Sequence, residues 1–516
     1  MERSKLLGNK KVKYDAVPNE DTLSGSVSKD LGEVGGEPWQ QSLRPYSVYV
    51  LFILLATYLF NQLDRYMLAI TIKPMAQEIH FGDLACMVNN SVPDVASKGV
   101  TCNGTTSVSC ERITNENGTR VCKFDYDGQG FDYQIVAGPV FILIYTFSGI
   151  FVGLAANRFN RKNLLAGCLL LWSTMTLLTG FIQEYWHLVL LRLGLGLGEA
   201  GCTPFAASLI TDYFSKDLRG TALGVYNWGI YIGYSMSYAF GNYITLGWRW
   251  AFIISGIPGI FFAILLVITV KEPTRSISTT LDEEKTISTR SQRIVAVLKS
   301  FLIPSLFLIC IAGSIRNAAG YVFAYNTQPY FTAIGQTKED IGEYMSWIPL
   351  VGGSLSVLIG GFISDRVVRR LGMYARVIVI FISLIVAAPF AAGTLFLSPP
   401  YAYISQIPTY IIGEMWIGIT LAIVVEIVPD RIRTSAIALY LFIISNIGGN
   451  MPLLVPPIQE AFQNQGYNKA DALRGALYIL YPGLYVAGAI LFVFAMLVLK
   501  RDQRRMRESQ AALIQK

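Results

Sequence analysis

The sequence predicts an all-α polytopic membrane protein with twelve transmembrane helices in two six-helix pseudo-repeats. Three observations predict it. Twelve apolar stretches recur along 516 residues, basic residues gather in alternate loops, and a ten-residue segment returns later in the chain in altered form. The chain is 53% hydrophobic and 15% charged, with a mean hydropathy of +0.44. A soluble domain carries about 25% charge.

A bilayer crossing needs about 20 apolar residues. Stretches of that order lie at roughly 46–73, 133–157, 163–182, 186–214, 221–245, 250–270, 302–331, 342–364, 374–397, 402–427, 434–457 and 476–499. So little polar sequence cannot cover twelve buried helices in water, which excludes a soluble fold. The expected organisation is a disordered cytoplasmic N-terminus (1–45), a first six-helix bundle (46–270) and a cytoplasmic linker (271–300). A second bundle (301–499) and a basic cytoplasmic tail (500–516) complete it.

Residues 1–45 are polar and rich in Gly, Ser and Glu, a composition that does not fold alone. They hold no apolar signal-peptide core, so the first span is expected to act as the signal anchor. Glu2-Arg3-Ser4-Lys5-Leu6-Leu7 has the form of an acidic dileucine address, and Tyr14-Asp15-Ala16-Val17 that of a Tyr-x-x-Φ address. Both would direct a protein to endosomal or lysosomal membranes, and both patterns also arise by chance in tails.

The net charge of +7 raises nucleic acid as a partner, but the placement of the charge argues against it. Lysines and arginines cluster at 158–162, 216–219, 271–299, 366–376, 431–433 and 500–507, and the intervening loops are poor in them. This is the positive-inside pattern. It predicts both termini in the cytoplasm, in a plasma, endosomal or lysosomal membrane.

Residues 80–132 are far more polar than their surroundings. They contain Cys86, Cys102, Cys110 and Cys122, together with Asn-x-Ser/Thr acceptors at Asn89, Asn103 and Asn117. An even cysteine count and sequons both indicate an oxidising, glycosylating compartment. Two disulfides are expected, with three pairings open. A metal site is disfavoured, because no Cys-x-x-Cys spacing is present and His80 stands alone at the loop edge. The expected role of the loop is protection or surface recognition. Cys168, Cys202 and Cys310 lie within spans and read as packing residues.

Gly153-Leu-Ala-Ala-Asn157-Arg158-Phe-Asn-Arg161-Lys162 ends the second span, and Gly361-Phe-Ile-Ser-Asp365-Arg366-Val-Val-Arg369-Arg370 ends the eighth. The segments are offset by 208, whereas the first and seventh spans start roughly 256 apart. The difference of about 48 matches the polar loop inserted only in the first half. Internal repeats of this kind mark secondary transporters, with the substrate site between the halves near the midplane.

These two segments resemble the loop motif of the major facilitator superfamily. Asn61-Gln-Leu-Asp64-Arg65-Tyr66 and Arg192-x-Gly194-x-Gly196-x-Gly198-Glu199-Ala200 resemble its spinster-like branch. Gly413-Glu414-x-Trp416 and Val428-Pro429-x-Arg431 extend the likeness to the second half. The resemblance covers all twelve spans and implies the major facilitator fold. The long cysteine-rich loop departs from the branch and is similar to that of organic-ion transporters of the same superfamily.

Ionisable residues inside spans are costly and mark functional sites. Asp64 and Arg65 fall on neighbouring positions about 100° apart on a helix. Arg192 and Glu199 are seven apart and share one face. The resemblance implies that spans 1 and 4 line a central cavity, with Asp64 and Glu199 as proton-linked acids. Arg65 and Arg192 would be their partners or ligands of an anionic substrate. An acid that loses a nearby arginine in a buried site takes a proton, which supplies a physical basis for coupling. The competing reading is a permanent structural salt bridge. Arg316 is a planar anchor for phosphate or carboxylate, or else the partner of Glu414, and sequence leaves both open. Tyr325 follows on the same span, and Trp416, Trp228, Tyr231 and Tyr234 are candidate cavity linings. In the family, the acid ending span 8, here Asp365, docks on a neighbouring helix end. Asn157 in the first half predicts a weaker latch.

The function expected is secondary transport by alternating access, and the resemblance to the branch implies proton linkage and a lipid-like amphiphile, a lysophospholipid or sphingoid lipid, as substrate. A small organic anion is the alternative on the same fold, and a non-transporting receptor a more distant one. No phosphate-binding Gly-x-x-x-x-Gly-Lys motif supports a primary pump, and two histidines outside any ligand spacing argue against an enzyme. The triplet Asp64-Arg65-Tyr66 sits in the first of twelve spans, which excludes the seven-span receptor reading. No cofactor is implied, and a monomer is expected.

Overall fold

A computed structural model describes residues 45–89, 102, 104, 106–115, 118–155, 159–214, 218–243, 246–273, 298–372, 374–428 and 433–514. The sorting patterns, Asn103, Asn117, Asn157, Arg158 and most of the linker lie outside the described residues.

The first half contains α1 (Pro45–Ile79), a two-stranded ribbon of β1 (Leu84–Val88) and β2 (Cys122–Tyr126) with the short α2 (Ser107–Glu111) between them, then α3 (Phe131–Ala137), α4 (Pro139–Ala155) and α5 (Arg161–Thr179). It continues with α6 (Tyr185–Glu199), α7 (Cys202–Tyr213), α8 (Arg219–Tyr243) and α9 (Trp248–Thr269). The second half contains α10 (Pro304–Ala333), α11 (Lys338–Met345), α12 (Ile348–Leu371), α13 (Tyr374–Phe396), α14 (Tyr401–Gly413), α15 (Trp416–Ile427) and α16 (Arg433–Asn450). It closes with α17 (Val455–Gln463), α18 (Lys469–Leu480) and α19 (Pro482–Ile514).

Ten helical stretches among the described residues are long and apolar enough to cross a bilayer. The two expected spans outside that set are helical as well, α5 and α8. The charged opening turn of α5 and the Tyr, Gly and Asn content of α8 lower their hydropathy. Helices at all twelve expected positions are therefore present. The basic tail is no separate element, because α19 runs past 499 to Ile514. Asp502 is buried and accepts from the Ser305 amide at 3.0 Å, closing the N-terminus of α10.

The repeat is visible in the contacts. Arg161 at the start of α5 pairs with Asp212 at the end of α7 (2.6 Å) and with Glu272 (2.9 Å). Arg376 at the start of α13 pairs with Glu426 at the end of α15 (2.7 Å). Among the loop motif residues, Gly361 packs against nothing and Arg366 is exposed. Gly153 lies in α4 and Asp365 in α12, and the side chain of Asp365 is not described.

The polar loop packs on the end of α1. β1 and β2 pair antiparallel from Leu84–Tyr126 to Val88–Cys122. Cys86 bonds Cys110 and Cys102 bonds Cys122, one of the three open pairings. Gly128 has φ 73°, and a Cβ there would stand 2.9 Å from the Lys73 Cα. Only glycine lets the turn lie this close to α1. Asn89 is a partly buried residue just after β1.

Candidate functional site

Two apolar clusters of the first half pack along α1. One contains Val50, Ile53 and Leu54 of α1 with Leu165, Leu169 and Phe205. The other contains Leu63, Met67 and Leu68 with Tyr133, Leu188 and Phe252. Between them lies a buried polar layer of Asn61, Gln62, Asp64 and Arg65 on α1, facing Arg192 and Glu199 on α6. Burying so many polar groups is expensive unless they pair.

Arg65 donates to one Glu199 oxygen from Nε at 3.0 Å and from Nη2 at 2.7 Å. Its guanidinium also stands 4.9 Å from the Phe141 ring centroid and 4.8 Å from that of Tyr145. Charge, fork geometry and two aromatic faces thus fix one side chain. Tyr321 of α10, from the other half, stands beside it. Arg192 does not bond Glu199, although it shares a helix face with it. Its Nη2 makes a long 3.5 Å contact to the Arg65 carbonyl, and it takes no carboxylate partner among the described residues.

Asp64 is 1% exposed, and neither of its oxygens has a hydrogen-bond partner. The hydroxyls of Thr176 and Ser255 stand beside it. Each donates instead to a main-chain carbonyl, of Trp172 and Phe252 respectively. Asp64 and Arg192 line one small cavity with Thr176, Thr179, Leu191, Leu195 and Phe252. Its water-accessible space is about 10 Å³, the order of a single water.

The second half repeats the arrangement. Arg316 Nη2 meets Glu414 at 2.7 Å, the Gly413 carbonyl at 2.9 Å and the Tyr485 hydroxyl at 2.9 Å. Its guanidinium stands 4.1 Å from the Tyr485 ring and 5.5 Å from that of Trp416. The structure therefore pairs Arg316 with Glu414, one of the two readings that sequence left open. Both acids also sit where a span is interrupted. Glu199 is the last residue of α6, and Glu414 caps α14. A helix C-terminus is already negative, so an acid placed there requires a cation, and the arginine of the preceding first or seventh span supplies it. Interrupted spans are common at transporter sites.

Tyrosines fill the seam between the halves. Tyr66 contacts Tyr234 at 4.6 Å and Tyr325 at 5.7 Å between ring centroids, and Tyr321 stacks on Tyr325 at 6.1 Å. The Tyr133 hydroxyl donates to the Tyr325 carbonyl, Gln134 to Asn326 at 2.9 Å, Gln328 to Asn242 at 3.0 Å and Thr146 to Asn446 at 3.0 Å. Sequence reasoning did not find Tyr485, Tyr145 or Phe141, because aromatic residues in spans carry no spacing signal. The interruptions did have a signal, Gly201 after Glu199 and Gly413 before Glu414. Trp228 is partly buried, and Tyr231 is buried against Gly353 of α12.

The model of the Major Facilitator Superfamily matches residues 54–451. The spinster protein of Drosophila melanogaster is 29% identical over 351 residues, covering 64% of this chain and 56% of that protein. Spinster homolog 1 of Homo sapiens is 28% identical over 397 residues, covering 71% and 74%. An MFS-type efflux pump of Mycolicibacterium smegmatis is 27% identical over 374 residues, covering 71% and 84%. Among solved structures, a bacterial homolog to the human lysosomal transporter spinster, inward-facing and unoccupied, superposes with a TM-score of 0.64. It is 22% identical and covers 90% of this chain and 98% of that one. A D-xylose-proton symporter shares the fold at a TM-score of 0.60 and 14% identity, covering 86% and 97%. The chain belongs to the Major Facilitator Superfamily and is similar to the spinster proteins within it: it is a multi-pass membrane transporter and not an enzyme.

Proposed function

We propose that this transporter is proton-linked and carries a lipid-like amphiphile with an anionic headgroup, a lysophospholipid or a sphingoid phosphate. The observation that carries the reading is the buried layer of Arg65, Glu199, Asp64 and Arg192. Arg65 is held by Glu199 and faces Tyr321 of the other half. Arg192 lacks a carboxylate partner and Asp64 lacks any donor among the described residues. An entering anion competes with Glu199 for Arg65. A carboxylate deprived of its arginine in so dry a site binds a proton rather than keep a bare charge. Substrate and proton thus bind together, while Asp64 and Arg192 complete the set of exchangeable charges. In this reading the polar loop faces the lumen or the extracellular side, Asn89 carries glycan, and the termini are cytoplasmic in a plasma or endosomal–lysosomal membrane.

A second reading, a small organic anion, is favoured by the tyrosines of the seam. Phenol rings suit a compact polar ligand as well as an acyl chain. The test is reconstitution into liposomes with labelled lysophosphatidic acid and, in parallel, labelled small carboxylates, with and without an inward proton gradient. Gradient-driven lipid uptake that Glu199→Gln abolishes is the expected result. Uptake of the carboxylate alone moves the assignment to the second reading, and lipid uptake indifferent to both gradient and Glu199→Gln refutes the proton role.

A further inference from the structure

The disulfide-stapled loop does more than cover the first half. Asp83 and Asp127 exchange main-chain contacts, Asp127 N donating to Asp83 O at 3.0 Å. The Asp127 carboxylate accepts from the Gln129 amide at 3.0 Å, and Asp83 N donates to Gln129 O at 3.1 Å. This turn is pressed onto α1 at Lys73. The second Asp127 oxygen meets Lys469 Nζ at 2.5 Å.

Lys469 belongs to the other half. It is the first residue of α18, whose N-terminus Asn468 caps by accepting from Asp471 N at 2.8 Å. One turn on, Arg474 donates to the Tyr330 hydroxyl of α10 at 3.3 Å. The pair is therefore a rigid bridge between the two halves on the loop face. The neighbouring seam contacts, Tyr133–Tyr325, Gln134–Asn326 and Asn242–Gln328, are neutral.

We infer that the turn at 127–130 is the moving rim of the loop-face gate, and that Lys469 closes the gate by neutralising Asp127. The inference rests on alternating access in this family, not on the identity of the substrate. The two partners are unequal. Asp127 is 9% exposed, whereas the Lys469 side chain is 27% exposed. Removing Lys469 strands a buried carboxylate, while removing Asp127 leaves a lysine that water can reach. Stranding one buried charge costs much more than deleting both.

Burial raises the Asp127 carboxyl above the usual carboxylate range, and Lys469 pulls it part of the way back. Asp83, Asp125, Lys73, Lys123 and Lys338 surround the turn and act in both directions. In an open gate Asp127 returns to water. A carboxyl raised in the closed form binds its proton more tightly there, so acid favours closure and rising pH weakens it.

The test is hydrogen exchange on the full chain in nanodiscs, corrected for intrinsic rates, at pH 7.5 and 5.5. At pH 7.5, Lys469→Gln is expected to speed exchange of the amides from 127 to 138 by about tenfold, as freeing a local opening does. Adding Asp127→Asn, or lowering the pH, returns exchange close to wild type. Asp127→Asn alone and Lys469→Arg change it less than about threefold. Unchanged exchange in Lys469→Gln overturns the inference. So does a double variant as loose as Lys469→Gln alone, because Lys469 then acts through something other than Asp127. Equal loosening of α5 and α13 overturns it as well, since general unfolding is not a gate. The readout needs no substrate, so failure of the transport assignment leaves the test intact.

Discussion

Glu199→Gln keeps the side-chain shape and removes the charge that Arg65 meets twice. Leaving one member of a buried pair uncompensated costs about 3–5 kcal/mol. Gln retains a carbonyl acceptor, and the Phe141 and Tyr145 rings still flank the guanidinium, so the lower half of that range applies, about 3–4 kcal/mol. Glu414→Gln removes less. Arg316 keeps the Gly413 carbonyl and the Tyr485 hydroxyl, both at 2.9 Å, and the Glu414 side chain is 18% exposed against 0% for Glu199. About 1.5–3 kcal/mol is expected there, the worth of one hydrogen bond to a charged group. The assay is unfolding in mixed micelles with rising SDS, followed by tryptophan fluorescence, for both single variants and for Arg65→Gln/Glu199→Gln. The double variant should recover much of the loss, because deleting both charges removes the burial cost. A Glu414→Gln loss equal to or larger than that of Glu199→Gln would falsify the ranking. A double variant no better than Glu199→Gln refutes the pairing argument itself.

Other expectations follow from single contacts. Gly233→Ala places a Cβ 2.4 Å from the Leu59 carbonyl, a main-chain atom that cannot yield. It should separate α1 from α8 and cost about 1–3 kcal/mol. Gly224→Ala on the same helix meets nothing within 4 Å and should be neutral or stabilising by about 0.5–1 kcal/mol; expression and thermal stability of the two compare them. Non-reducing peptide mapping should yield Cys86–Cys110 and Cys102–Cys122, and a Cys86–Cys122 peptide would contradict the loop as described. Arg316→Lys keeps the charge and loses the planar face against Tyr485, so reconstituted transport should fall several-fold with the protein still folded. Wild-type transport in that variant removes Arg316 from the mechanism.

The fold was legible because lipid imposes length and hydropathy on every span, and because the segments at 153 and 361 exposed the repeat. Span ends were less legible. The apolar run at 186–214 reads as continuous, yet the helix is interrupted after Glu199, since a turn that keeps its direction leaves the hydropathy unaltered. The charged residues announced themselves by their cost in lipid. Their partners did not: Arg65 to Glu199 spans 134 positions and Arg316 to Glu414 spans 98, and Arg192, expected beside Glu199, turns to the Arg65 carbonyl instead. The loop's cysteines signalled staples, but Asp127 to Lys469 is a meeting of two ordinary surface residue types.

The two ion pairs at the span interruptions lie within a half, α1 to α6 and α10 to α14, whereas the described seam contacts other than Asp127–Lys469 are mostly amide and phenol. A neutral hydrogen bond nets about 0.5–1.5 kcal/mol and is readily traded for water; a buried ion pair is not. The chain has spent its strong electrostatics on stiffening each half and left a soft seam between two stiff bodies. Rocking one against the other then breaks mainly neutral contacts, each of them readily replaced by water. Small changes at Gln134, Asn242 or Asn326 should redistribute the conformers without melting either bundle.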